Sequence, residues 1–227
     1  MRKALAVSVL LGATALPMLQ GCLPVVAASA VSGGALATLD RRSLGTQTDD
    51  ETVEWKASSR VGEKFSDNVH LNFTSYNRRV LVTGEVPSEE VKGEIERIVA
   101  GIPQVQGVYN ELAVAPVTSF STRSNDSYIT TRVKSRFVDS GKFSAVHVKV
   151  VTEASVVYLL GLVTQREADS AIQVARTTSD VKKVVNLLEI ISDAKARELD
   201  VRMPEQRPPA PPRSEERRVG KECRSRW

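Results

Sequence analysis

Cysteine, histidine and aromatic residues are all scarce here, and the first two shortages each bear on a class of structure or site. Two cysteines cannot build a disulfide framework, and with two histidines they do not make a convincing zinc site. Aromatics are only 5% of the chain. No G-x-S-x-G, phosphate-binding loop or H-E-x-x-H pattern occurs, and no catalytic or metal site suggests itself. What remains is an ordinary globular balance, 41% apolar and 26% charged over 227 residues, enough for one large domain or two small ones.

The net charge of +4 sits at the ends. Residues 1–21 carry +2 and residues 213–227 carry six basic and three acidic side chains, leaving −1 for residues 22–212. A basic isoelectric point with that distribution is no argument for nucleic acid.

Met1-Arg2-Lys3 followed by the apolar stretch Ala4–Leu19 reads as a signal peptide over residues 1–21, too short for a membrane span. It ends in Leu19-Gln20-Gly21-Cys22, which resembles the lipobox of bacterial lipoproteins. That resemblance implies cleavage before Cys22, a diacylglycerol on its thiol and acylation of the new N-terminus. It implies no other cofactor. Leu23 follows where aspartate typically retains lipoproteins in an inner membrane, so the implied destination is the outer membrane, facing the periplasm. Several acyl chains, at roughly 0.8 kcal/mol per buried methylene, hold a protein durably. Residues 22–47, rich in Ala, Val and Gly before turning polar at Asp40-Arg41-Arg42, read as a tether.

The body is one unit written twice. Val80-Leu81-Val82-Thr83-Gly84-Glu85-Val86 matches Val157–Val163 at an offset of 77, and His70-Leu71-Asn72-Phe73 matches His147–Val150 at the same offset. At 76, Val53, Ala57 and Val61 correspond to Ile129, Val133 and Phe137. Each copy predicts a helix (about Asp50–Lys64, Asp126–Asp139), a strand carrying Val69, Leu71 and Phe73 or Val146, Val148 and Val150, and a polar turn. A glycine-bearing strand, a second helix opened by Pro87-Ser88-Glu89-Glu90 or Thr164–Glu167, and a last strand (Val105–Val114, Val181–Ile191) complete it. The acidic run Asp49-Asp50-Glu51 suits a helix start better than a catalytic pair. Gly84 and Gly161 predict a bulge or a close backbone approach under a helix, a structural role. His70 and His147, on the face opposite the apolar stripe, predict solvent exposure or a helix contact, not catalysis.

These residues resemble BON domains, and the arrangement resembles the dual BON-domain lipoproteins of Gram-negative outer membranes. The most specific stretches are Asn125–Thr131 and Val157–Glu167. The resemblance implies an α+β fold: two tandem units, each α-β-β-α-β with two helices on a three-stranded mixed sheet. The boundaries expected are 48–115 and 124–193, a linker at 116–123, and a disordered tail at 194–227 that opens with a short helix over Ser192–Val201. Within that tail, the basic run Arg213–Trp227 does not fit the family, and reads either as out-of-place coding sequence or as a basic lipid-binding tail.

The copies differ in charge, −5 over residues 48–115 and +1 over residues 124–193. On the first helix of the second copy, Ile129, Val133 and Phe137 centre on one face at 100° per residue; Tyr128 lies roughly 140° away, with Thr131, Ser135 and Val138 continuing its stripe. Arg132 and Lys134 flank it and Arg136 borders the core. An outward aromatic and valine joined by hydroxyls and flanked by cations have the composition of an interfacial patch. Packing against the first copy or the linker explains Tyr128 and Val138 equally well from the residues alone. The first copy has Thr52 and Gly62 at those positions, and its Trp55 predicts packing between units. The family resemblance implies the lipid role: binding of anionic phospholipid (phosphatidylglycerol, cardiolipin) through the second BON unit, and support of outer-membrane integrity, including at division sites. Tyr128 stands where that family more usually has tryptophan. The rival reading is a non-enzymatic adaptor docking an outer-membrane assembly, division or cell-wall protein.

Overall fold

A computed structural model describes residues 40–65 and 69–201; the signal, Cys22 and the basic tail therefore lie outside the described residues. The first unit comprises α1 (Leu44–Gly62), β1 (His70–Tyr76), β2 (Arg79–Val86), α2 (Glu89–Ala100) and β3 (Gly107–Val114). The second repeats it as α3 (Phe120–Ser140), β4 (Val148–Glu153), β5 (Val156–Val163), α4 (Gln165–Arg176) and β6 (Lys183–Ile190), and α5 (Asp193–Val201) closes the described chain. In each sheet the middle strand pairs antiparallel with the strand before it and parallel with the strand after α2 or α4. The fold is the expected α+β pair of α-β-β-α-β units.

Both first helices start six residues earlier than their charged residues suggest. Ser43 caps α1 by accepting from the Thr46 amide, and Ser119 caps α3 by accepting from the Thr122 amide. A hydroxyl satisfies an orphan amide at a helix start as well as a carboxylate does. α1 thus opens inside the stretch read as tether, and α3 inside the stretch read as linker. Asp50 and Asp126 are not helix starts but buried residues mid-helix. Asp50 accepts from the Asn77 and Arg78 amides (2.8 and 2.7 Å) and the Ser75 hydroxyl; Asp126 accepts from the Ala154 and Ser155 amides (3.0 and 2.8 Å). Those four turn residues have φ between 49° and 66°, a conformation that normally selects glycine or asparagine. One helical carboxylate in each unit holds a hairpin turn in which, of the four residues, only Asn77 suits that conformation.

Each unit has its own core: Val53, Ala57 and Val61 against Val80, Val82, Ile95 and Val99 in the first, Ile129, Val133 and Phe137 against Val157, Leu159 and Ala171 in the second. A third cluster joins them. Tyr76 and Leu81 of the first sheet pack with Tyr158 and Leu160 of the second, so the sheets meet through the faces their helices leave open. The layers run helices, sheet, sheet, helices. This explains the nearly unbroken apolar run Val156–Val163, since a strand covered on both faces has no polar side to alternate with. Burial at this seam lifts the Tyr158 phenol to about 12. Lys149 bonds Glu54 at 2.9 Å across the seam, and Asn77 bonds Glu189 at 3.1 Å.

The glycines are required by close approach to a strand, not to a helix. A Cβ on Gly84, whose φ is +123°, would lie 1.8 Å from the His70 carbonyl oxygen; on Gly161 it would lie 2.3 Å from the His147 carbonyl oxygen. Val146 and His147 sit in a 3-10 turn (Ala145–His147) ahead of β4 rather than in the strand.

Candidate functional site

Helix α3 owes its outward stripe to what its inward face must do. Asp126, Ile129, Val133 and Phe137 are buried, which turns the residues half a turn away toward water. Tyr128 is 57% and Val138 68% exposed, so neither is sealed beneath the first unit. Thr131 and Ser135 between them are exposed. The added N-terminal turns bring a residue the sequence reading missed: Phe120, 77% exposed. At 100° per residue Phe120 falls at the angle of Val138 and beside Thr131, extending the stripe to roughly 27 Å. Its signal was available in the repeat, because Ser43-Leu44 and Ser119-Phe120 match at the offset of 76.

The flanking cations are less free than their spacing suggests. Arg132 bonds Asp180 at 2.7 Å while its guanidinium lies 5.3 Å from the Tyr128 ring centre, a cation–π contact that fixes the ring's orientation. Arg136 is committed to the C-terminal end of α4, bonding the Val174 carbonyl and the Thr177 and Thr178 hydroxyls. Lys134 is exposed and makes no ion pair among the described residues. Helix α3 as a whole carries four basic and two acidic residues, against two basic and four acidic on α1. The second unit's first helix is cationic and the first unit's is anionic.

α1 is not bare. Trp55 is 69% and Leu44 62% exposed, which corrects the expectation that Trp55 packs between units: the sheets, not the first helices, form that contact.

His147 answers to the expected helix contact. It is buried near Glu167 of α4 and Asp200 of α5, at 4.0 and 3.9 Å. Arg41 completes the group: it bonds Glu167 at 2.7 Å, Asp200 at 2.8 Å and the Leu162 carbonyl at 3.0 Å. Burial, reinforced by Arg41, holds the His147 imidazole below its ordinary range. Burial alone would raise Glu167; Arg41 and the Thr164 cap outweigh it and keep that carboxyl low. Arg42, meanwhile, pairs with Asp40 and Asp50 and lies over the Tyr76 ring at 3.9 Å. Adjacent arginines ahead of α1 therefore fasten the chain to both units. His70 takes neither expected role; it lies at the seam, beside Glu85 and Glu153.

No helix among the described residues is long and apolar enough to cross a membrane. The BON domain matches residues 49–116 and 125–192. The chain belongs to the BON-domain family. Among its relatives, the outer membrane lipoprotein DolP of Haemophilus influenzae is 41% identical over 189 residues, spanning 81% of this chain and 95% of that protein. A 21 kDa hemolysin of Actinobacillus pleuropneumoniae is 32% identical over 67% of this chain and 80% of its own length. The osmotically-inducible protein Y of Escherichia coli is 25% identical over 70% and 81%. With the DolP likeness spanning nearly that whole protein, this chain is a lipid-anchored outer-membrane lipoprotein with two BON domains.

Proposed function

We propose that the protein holds the outer membrane by two contacts: the acylated Cys22, and helix α3 of the second BON domain laid on anionic headgroups such as phosphatidylglycerol or cardiolipin. The body faces the periplasm, catalyses no reaction, and supports outer-membrane integrity, including at division sites. The observation that carries the reading is the stripe Phe120–Tyr128–Val138, with three large apolar side chains turned to water on an outer helix of net positive charge. Phe and Val supply apolar area, Tyr rests at headgroup depth, and Lys134 meets phosphate. Two weak contacts on one tether reinforce each other through effective concentration.

Flotation of the protein carrying Cys22→Ser with vesicles tests this without the anchor. Vesicles containing phosphatidylglycerol should carry it up and pure phosphatidylcholine vesicles should not. Tyr128→Glu or Phe120→Glu should abolish flotation, and salt should weaken it without removing the apolar part. Unchanged flotation in both variants would reject the stripe as the contact. The adaptor reading draws on Trp55 and Leu44, exposed on the anionic α1; it predicts that Trp55→Ala loses a protein partner while vesicle binding stays intact.

A further inference from the structure

At the seam between the sheets, three side chains converge that the membrane reading does not use. His70 opens β1, Glu85 lies opposite it on β2, and Glu153 ends β4 of the other unit. One ligand-type atom from each lies within 4.8 Å of the other two. His70 Nδ1 stands 3.3 Å from a Glu85 oxygen and 3.8 Å from a Glu153 oxygen, yet it is buried with no hydrogen-bond partner. Neither glutamate pairs with a lysine or arginine among the described residues, although both are buried.

The carboxylates are also held in place. Glu153 accepts from the Asn72 amide at 2.8 Å and the Thr83 hydroxyl at 3.3 Å through Oε2, which turns Oε1 toward His70. Glu85 accepts from the Thr118 amide and hydroxyl. Outer partners of this kind fix ligand orientation in metal sites. A tetrahedral ion with bonds of about 2.0–2.1 Å has edges of about 3.3 Å between its ligands, and the His70–Glu85 separation is 3.3 Å.

The repeat supplies a comparison. At the matching histidine, His147, two carboxylates also gather, and there the chain provides its own cation, Arg41. Around His70 no lysine or arginine among the described residues bonds the carboxylates, although Arg123 lines the adjoining cleft. Two buried carboxylates with ligand atoms within 4.8 Å of each other favour a shared cation.

We propose that His70, Glu85 and Glu153 form a divalent-cation site, best matched to zinc, that joins the two BON domains. One neutral imidazole and two carboxylates balance the charge of the ion, and the mixed nitrogen and oxygen donors suit zinc better than calcium or magnesium. A cleft of about 240 Å³, with His70, Asn72 and Glu153 on one side and Arg123, Asp126 and Thr130 of α3 on the other, gives access and room for water as a fourth ligand. The low count of cysteine and histidine conceals such a site, because two of its three ligands are glutamates drawn from different repeats.

Zinc is the probe. The full chain in detergent, carrying Cys223→Ser to remove the tail thiol, should bind one zinc in competition with a fluorescent chelator. Glu85→Gln and Glu153→Gln should each weaken binding roughly tenfold or more, whereas His147→Gln should leave it unchanged. Zinc should raise the melting temperature of the parent but not of the two glutamine variants. Because the chain has only two histidines, ring-proton NMR gives a readout on the parent that depends on no ligand variant folding: zinc should shift the His70 resonances and spare those of His147. Saturation absent up to about 100 µM zinc, undiminished binding by both glutamine variants, or movement of His147 alone would overturn the site.

Discussion

Removing the Asp126 carboxylate tests whether the helix-to-turn bonds stabilise the hairpins. Asp126→Ala leaves the Ala154 and Ser155 amides without an acceptor. Ser155 is buried and Ala154 is exposed, so water can replace only one of the two bonds. A buried donor left unsatisfied costs about 1–3 kcal/mol, and an exposed bond exchanged for water about 1 kcal/mol. The expected loss is therefore about 2–4 kcal/mol, read from urea unfolding followed by circular dichroism. Asp50→Ala should cost more, because Asp50 holds two amides, the Ser75 hydroxyl and the Arg42 guanidinium. The same reasoning requires the turn's left-handed backbone to be a cost that Asp126 offsets. Ala154→Gly should then stabilise the parent by about 1 kcal/mol and recover part of the Asp126→Ala loss. An Asp126→Ala protein within 0.5 kcal/mol of the parent would refute the reasoning.

Gly84→Ala forces a methyl to within 1.8 Å of the His70 carbonyl at a φ of +123°; it should cost about 3 kcal/mol or more, whereas Gly62→Ala, with open space around it, should be neutral or stabilising in the same denaturation assay. The His147 imidazole is held below its ordinary value by burial and then by Arg41, so the unfolded chain binds the proton more readily. Its contribution is complete above the ordinary histidine value and lost as pH falls through the lowered one. The ordering of stability across that window should be steeper in the parent than in His147→Gln; equal slopes would show that the imidazole is not the titrating group. Glu153, raised by burial, works in the opposite sense just above the ordinary carboxylate range, which is why the variant comparison, not the parent's profile alone, isolates His147.

What the sequence disclosed and what it hid follow from a single distinction. Periodicity reports which face of an element is covered, so the core positions Val53, Ala57 and Val61 and their partners Ile129, Val133 and Phe137 were legible, and all six are fully buried. The same periodicity put Tyr128 and Val138 on the outer face. It is silent on what does the covering. Leu81, Tyr158 and Leu160 read simply as apolar strand residues, and only the tertiary arrangement shows them buried against the other sheet. Element starts were misjudged because serine caps carry less contrast than the nearby aspartates, whose charge is spent on turns twenty-eight residues downstream. Once the sheets meet face to face, both first helices are left on the outside with their far faces uncovered. The second helices α2 and α4 share those outer layers, so each copy presents two helices to solvent, and divergence between the copies can give equivalent helices opposite charge. The charges on α1 and α3 have diverged in that sense, from −2 to +2, while the buried positions beneath them kept the same spacing.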